Sequence, residues 1–193
     1  MTRISQQQLE SYLWGAAVLL RGTIDAGDYK QFIFPLLFYK RLSDVWDEDY
    51  AAALSESKRD PAYALATAND RFVIPEGAHW KDVRAAAKDV GRSLQTALRA
   101  IEAANAGRLD GIFGDAQWTN KDRLPDELLK DLVEHFSALP LGNSRVASDV
   151  IGDAYEYLIK QFADSTNKKA GEFYTPRSVV RLMVDILDPQ EEI

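Results

Sequence analysis

Gly171-Glu172-Phe173-Tyr174-Thr175-Pro176-Arg177 is the stretch on which the reading of this 193-residue chain turns. A short run with two aromatics reads as extended and leads into Thr175. Pro176 then opens a segment with Val179, Val180, Met183 and Leu187 at helical spacing. A threonine before a proline suits the N-cap and first helical position, because the hydroxyl accepts a first-turn amide and the proline has none to leave unpaired. The remaining free amides, backed by the positive end of the helix dipole, are donors for a ligand carboxylate. Phe173 and Tyr174 would supply flat apolar surface beside it. On local physics alone the same pattern also describes an ordinary helix start with its aromatics turned into a core.

Working outward, Ser148 suits the cap of a helix with Ile151, Ala154, Tyr155, Leu158 and Phe162 on one face. The polar stretch from Asp164 to Ala170 has little to bury and is expected to be a mobile loop, a gate before the segment above. Leu141-Gly142-Asn143-Ser144 gathers turn formers between two apolar periodic segments and marks the domain boundary. Upstream, Ser5 with Gln8 forms a capping-box pattern ahead of Leu9, Tyr12, Leu13, Ala16, Ala17 and Leu20, a first helix ending near Gly22. Asp28 opens a long helix that is apolar on more than one side and so belongs in the middle of a bundle. Pro35 either kinks that helix or requires it to start later. Tyr63 to Asn69 reads as a short helix. Phe72-Val73-Ile74-Pro75 reads as a strand-like run in a small hairpin or extended edge. Lys81 to Asn105 predicts one helix, 106–124 a loop with Phe113 and Trp118 tucked inward, and Pro125 the start of a helix with Leu128, Leu129, Leu132, Val133 and Phe136. The expected fold is mainly α: a helical bundle with a small β element, then further helices.

With 46% hydrophobic and 27% charged residues, the composition is that of a globular chain, long enough for one good core. The chain has no cysteine, which excludes thiolate chemistry and agrees with a reducing cytoplasm. Its N-terminus lacks the apolar core of a signal peptide, and no apolar run reaches spanning length, so a soluble cytoplasmic protein without a membrane partner is expected. A net charge of −7 argues against DNA being gripped over the whole surface. Asp44, Asp47, Glu48 and Asp49 cluster as acid, whereas Lys160, Lys168, Lys169, Arg177 and Arg181 gather near the 171–177 run, where nucleic-acid contact is expected. His79 and His135 have no ligand set around them in sequence, so no metal site is expected. No carboxylate pair argues for acid and base roles. Asp110-Gly111-Ile112-Phe113-Gly114-Asp115 has the glycines of a phosphate loop but no strand before it, and reads as a plain loop. Trp14 and Trp46 lie on apolar helix faces and read as core.

As a string, 171–177 followed by Val179-Val180-Arg181-Leu182-Met183 closely resembles the cofactor-contacting segment of the modification (methyltransferase) subunit of type I restriction-modification systems. Gly152-Asp153-Ala154-Tyr155-Glu156-Tyr157-Leu158 is similar to the family's preceding helix. Leu13-Trp14, Leu20-Arg21-Gly22, Asp28-Tyr29-Lys30 and the run from Leu36 to Asp44 are similar to the opening of its N-terminal helical domain. The resemblance implies a helical domain over 1–140 that serves assembly and DNA enclosure. It also implies, over 145–193, the start of an α/β S-adenosylmethionine-dependent N6-adenine methyltransferase domain, truncated before the Gly-rich cofactor loop. By the same resemblance Glu172, Phe173, Tyr174, Thr175, Pro176 and Arg177 contact S-adenosyl-L-methionine. The catalytic Asn-Pro-Pro-aromatic motif is not found in this sequence and is expected beyond Ile193, so no catalytic residue is assigned and the piece alone is expected to be inactive. The implied partners are a DNA-specificity subunit, a second modification subunit, a restriction subunit and double-stranded DNA. The competing reading is a stand-alone helical interaction module with no cofactor.

Overall fold

The computed structural model describes residues 3–165, Thr175 and residues 177–188. Among them are eight α-helices: α1 (Gln6–Leu20), α2 (Tyr29–Glu56), α3 (Pro61–Ala68), α4 (Trp80–Arg84), α5 (Val90–Ala104), α6 (Asp126–Ser137), α7 (Ser148–Ser165) and α8 (Arg177–Leu187). A 3-10 turn, Ala26–Asp28, leads into α2. The loop expected over Asp164–Ala170 lies outside the described residues from 166 onward, with α7 running to Ser165.

The capping box forms as its spacing requires. The Ser5 hydroxyl accepts the Gln8 amide at 3.3 Å, and Gln8 Oε1 accepts the Ser5 amide at 3.0 Å. α2 runs through the middle of the bundle, burying Phe32, Ile33, Leu36, Leu37, Tyr39, Leu42 and Trp46 against α1, α3, α4, α6 and α7. It begins before Pro35 and continues through it. α1 and α6 are locked by a reciprocal pair: the Tyr12 hydroxyl donates to the His135 carbonyl at 2.7 Å, and His135 Nε2 lies 2.8 Å from the Tyr12 carbonyl. Their rings stack with centroids 4.5 Å apart. Phe113 and Trp118 are buried, as is Trp46, while Trp14 is partly buried against the core.

Two expectations are corrected. No β element forms at Phe72–Pro75, and the described residues contain no strand, only an isolated bridge between Arg21 and Ile24. The hydrogen bonds that a partner strand would offer Val73 come instead from one side chain. Asn105 Oδ1 accepts the Val73 amide at 2.9 Å, and Asn105 Nδ2 donates to the Val73 carbonyl at 2.8 Å. Nor is Lys81–Asn105 a single helix, for the chain breaks between α4 and α5, where Asp89 takes a left-handed φ of 53°. The break is set from outside the segment: the Asp126 carboxylate accepts the amides of Asp89 at 2.8 Å and Val90 at 3.1 Å, starting α5 afresh. Gly91 lets that start sit against the 118–126 turn, since a Cβ there would lie 1.9 Å from the Trp118 carbonyl oxygen.

The segment joining α6 to α7 is held by one face of α2. Arg41, Asp44 and Glu48 fall three and four residues apart and therefore point the same way. The Arg41 guanidinium donates to the carbonyls of Leu141 and Val146 and, at 2.5 Å, to Asn143 Oδ1. Asp44 accepts the Leu141 amide at 2.6 Å while pairing with the buried Lys40. Glu48 accepts both the amide and the hydroxyl of Ser144. So tied, the connection brings Leu141 and Val146 into the core, and α7 follows, burying Ala154 and Leu158 chiefly against α1. Burial pushes the Arg41 pKa down, with the charges of Glu48 and Asp44 opposing that shift.

Gly91→Ala is expected to cost at least about 3 kcal/mol, because its clash is with backbone. Glu48→Ala should cost about 1 kcal/mol. Gly142→Ala would place a Cβ 2.1 Å from Glu48 Oε1 and push that carboxylate off Ser144. It should therefore cost clearly less in a Glu48→Ala background than in the native chain. Urea unfolding of the four variants measures all three effects, and full additivity of the last pair would contradict the clamp.

Candidate functional site

Of the six residues singled out as cofactor contacts, Glu172, Phe173, Tyr174 and Pro176 lie outside the described residues. So does Ile193, the residue beyond which the catalytic motif is expected, and no described residue bears on that expectation. Thr175 is described and exposed, and Arg177 opens α8. The expected Thr175 cap depends on the undescribed Pro176. α8 is amphipathic in sequence, yet every residue from Ser178 to Asp188 is exposed. Leu182 at 57%, Met183 at 52% and Ile186 and Leu187 at 72% expose more than any core element would. An eleven-residue helix with such a face does not hold itself together in water by propensity alone. Of the cations expected near this segment, Lys160 and Arg181 are described and exposed, while Lys168 and Lys169 lie outside the described residues.

α7 joins this region to the bundle and also forms one wall of an apolar groove of about 580 Å³. Phe34 and Phe38 of α2, Ile112 and Phe113 of the turn before α6, and Ile151 and Tyr155 of α7 line it. The rings of Phe34 and Tyr155 lie 4.2 Å apart, which ties α7 to the same face of α2 that carries the clamp, nearer the start of that helix. The Asp110–Asp115 run contributes Ile112, Phe113, Gly114 and Asp115 to the wall, so its glycines serve a turn, with Gly111 and Gly114 at φ 70° and 66°. The two histidines are absorbed by packing: His135 stacks on Tyr12, and His79 sits edge-on to Trp46 at 4.5 Å. Burial lowers the His79 pKa and raises that of neighbouring Asp47. Among the described residues no three His, Cys, Asp or Glu side chains converge to hold a metal ion. No described helix is long and apolar enough to cross a membrane.

The sequence reading missed the service performed by the acidic cluster. Asp44 and Glu48 are acceptors for the α6–α7 connection. Their spacing with Arg41 was the available signal, but the partner backbone lies some 100 residues away in sequence, with Arg41 and Leu141 separated by 100.

Comparison with known proteins gives two family matches. The family described as HsdM N-terminal domain matches residues 9–136, and the family described as N-6 DNA Methylase matches residues 146–193. The chain is 28% identical to the type I restriction enzyme MjaIX methylase subunit of Methanocaldococcus jannaschii, over 94% of this chain and 35% of that protein. It is 24% identical to the MpnII methylase subunit of Mycoplasma pneumoniae, over 92% of this chain and 39% of that one. The crystal structure of the type I restriction-modification system methyltransferase subunit from Streptococcus thermophilus superposes with a TM-score of 0.72 at 27% identity, covering 94% of this chain and 44% of that chain. The chain thus spans less than half the length of these relatives. A match to the HsdM N-terminal domain over most of the chain, with a second match to N-6 DNA Methylase, places this chain in the HsdM family of type I restriction-modification methylase subunits.

Proposed function

We propose that this chain is the front part of a subunit that transfers a methyl group from S-adenosylmethionine to the exocyclic N6 of adenine in a bipartite DNA site. Residues 1–140 would serve assembly and enclosure of DNA, and residues 145–193 would begin the catalytic domain. The observation that carries this reading is α8, a helix with its apolar side chains in water, directly after the Gly171–Arg177 run and within the stretch that matches the N-6 DNA Methylase family. Such a face is what a helix presents when the elements that cover it belong to further polypeptide.

The residues present suit one wall of a methyl-donor pocket. Thr175 and Ser178, on either side of the start of α8, are both exposed, and free amides at that helix start would be donors for a ligand. Phe173 and Tyr174 would offer apolar surface to the cofactor. Thr175 would orient the helix start, Glu172 would accept hydrogen bonds, and Arg177 would pair with a carboxylate or phosphate. When bound, S-adenosylmethionine supplies an electrophilic methyl on its sulfonium. The adenine amine is a weak nucleophile stacked inside a duplex, so the complete enzyme must extrude the base and aim it. The acceptors that do so would come from polypeptide beyond this chain. The partners of this reading are a DNA-specificity subunit, a second modification subunit, a restriction subunit and double-stranded DNA, in the cytoplasm.

By itself the 193-residue chain is expected to transfer no methyl group and to bind S-adenosylmethionine only feebly. A micromolar constant from calorimetry would overturn this, as would measurable transfer to DNA. In the complete subunit, Tyr174→Ala together with Thr175→Val should weaken cofactor binding tenfold or more, on the order of 1.4 kcal/mol, and leave assembly with the specificity subunit intact. Loss of assembly with cofactor affinity unchanged would make the segment structural and favour an interaction module.

A further inference from the structure

An open cleft of about 570 Å³ lies where the start of α1 meets the α6–α7 connection, away from the 171–177 segment in sequence. Arg3, Gln7, Gln8, Ser11 and Arg145 line it, with no carboxylate among the lining residues. Its two sides are joined by the hydrogen bond from the Ile4 amide to the Arg145 carbonyl at 2.9 Å, which holds both arginines at one place.

Three other arginines have acceptors, two of them at the surface. Arg41 holds the α6–α7 connection, Arg84 pairs with Glu134 at 2.7 Å, and Arg123 pairs with Asp28 at 2.8 Å. Arg145 differs from them. Its Nε is shut off from water with no hydrogen-bond partner, and it is the only arginine among the described residues with such an atom. Neither Arg3 nor Arg145 has a carboxylate within ion-pair distance among the described residues, although the chain has seven more acidic than basic side chains. The Arg145 Nε is closed to an anion as it is to water, so what the cleft offers an anion is the terminal Nη groups of its two unpaired guanidiniums.

We infer that the cleft between Arg3 and Arg145 takes one phosphodiester of duplex DNA, a contact distinct from the lysine-rich region around 160–181. The inference rests on the reading that the complete subunit works on DNA. Two guanidinium forks, with amide and hydroxyl groups from Gln7, Gln8 and Ser11, offer more donors than the face of one carboxylate accepts. A phosphodiester presents two charged oxygens and its ester oxygens. Such a contact fixes register on the duplex and reads no sequence.

The test is nitrogen-15 NMR of the 193-residue chain, following the Arg3 and Arg145 Nε–Hε signals during titration with a short duplex DNA and, separately, with a glutamate-rich peptide. Both arginine signals and the Gln7 and Gln8 side-chain amides should shift saturably with duplex and much less with peptide. Arg3→Gln combined with Arg145→Gln should lower the slope of log affinity against log salt by about 1, the contribution of one phosphate. Arg145→Lys, which keeps the charge but loses the fork, should retain most of that slope, with thermal unfolding confirming that each variant is folded. Shifts confined to residues around Lys160 and Arg181 would overturn this site while leaving DNA binding by the chain intact. Arginine shifts with the peptide alone would assign the cleft to a protein carboxylate, and no shift with either probe would also remove DNA contact from this part of the subunit.

Discussion

Three side chains on one face of α2, Arg41, Asp44 and Glu48, grip the backbone of residues 141–146, and the placement of α7 depends on that grip. A connection rich in turn formers has few apolar atoms with which to choose its own course. Here its carbonyls and amides are taken up by charged partners rather than by water. Charge-assisted bonds to backbone are stronger and more directional than neutral ones, so the grip fixes position as well as stability. Gly142 is part of the same arrangement, since the carboxylate of Glu48 occupies the space its side chain would need. The Phe34–Tyr155 contact adds a second tie along the same face of α2, so that α7 continues the bundle instead of hanging from it.

This packing changes the meaning of the boundary between the two family matches. They meet between residues 136 and 146, in the gripped connection. The helix that opens the methylase match is nonetheless built into the N-terminal core through Ala154 and Leu158. A helical domain so joined to the first helix of the methylase match can transmit its own position along the chain, because packed elements move as units rather than deform gradually. The apolar face of α8 is exposed among the described residues.

Much of the bundle was legible in the sequence because its signals are local. The Ser5 and Gln8 box, the all-round apolar character of α2, the tucked Phe113 and Trp118, and the helix following Pro125 each derive from residues within a few turns of one another. The misread segments depend on distant partners. Val73 looked like a strand residue and is satisfied by Asn105, 32 positions away. The segment from Lys81 to Asn105 looked continuous and is interrupted because Asp126, 37 positions on, accepts the Asp89 amide. Spacing within a segment cannot announce a cap supplied by another. The same reason hid the α2 grip, whose acids read only as a cluster of like charge. The reading of 171–177 as a cofactor segment rests on the residue string rather than on local physics, since a threonine-proline helix start is common and the string around it is not, and most of that run lies outside the described residues.

The central claim is that α8 and the run before it form one side of a catalytic domain completed by polypeptide outside these 193 residues. Amide hydrogen exchange measured on this chain and on a longer protein carrying the whole methylase domain tests it most directly. The account predicts that the amides of Arg177–Leu187 exchange almost freely in the short chain and become strongly protected in the long one, while those of α2 are equally protected in both. Full protection of α8 in the short chain, or none in the long one, would contradict it.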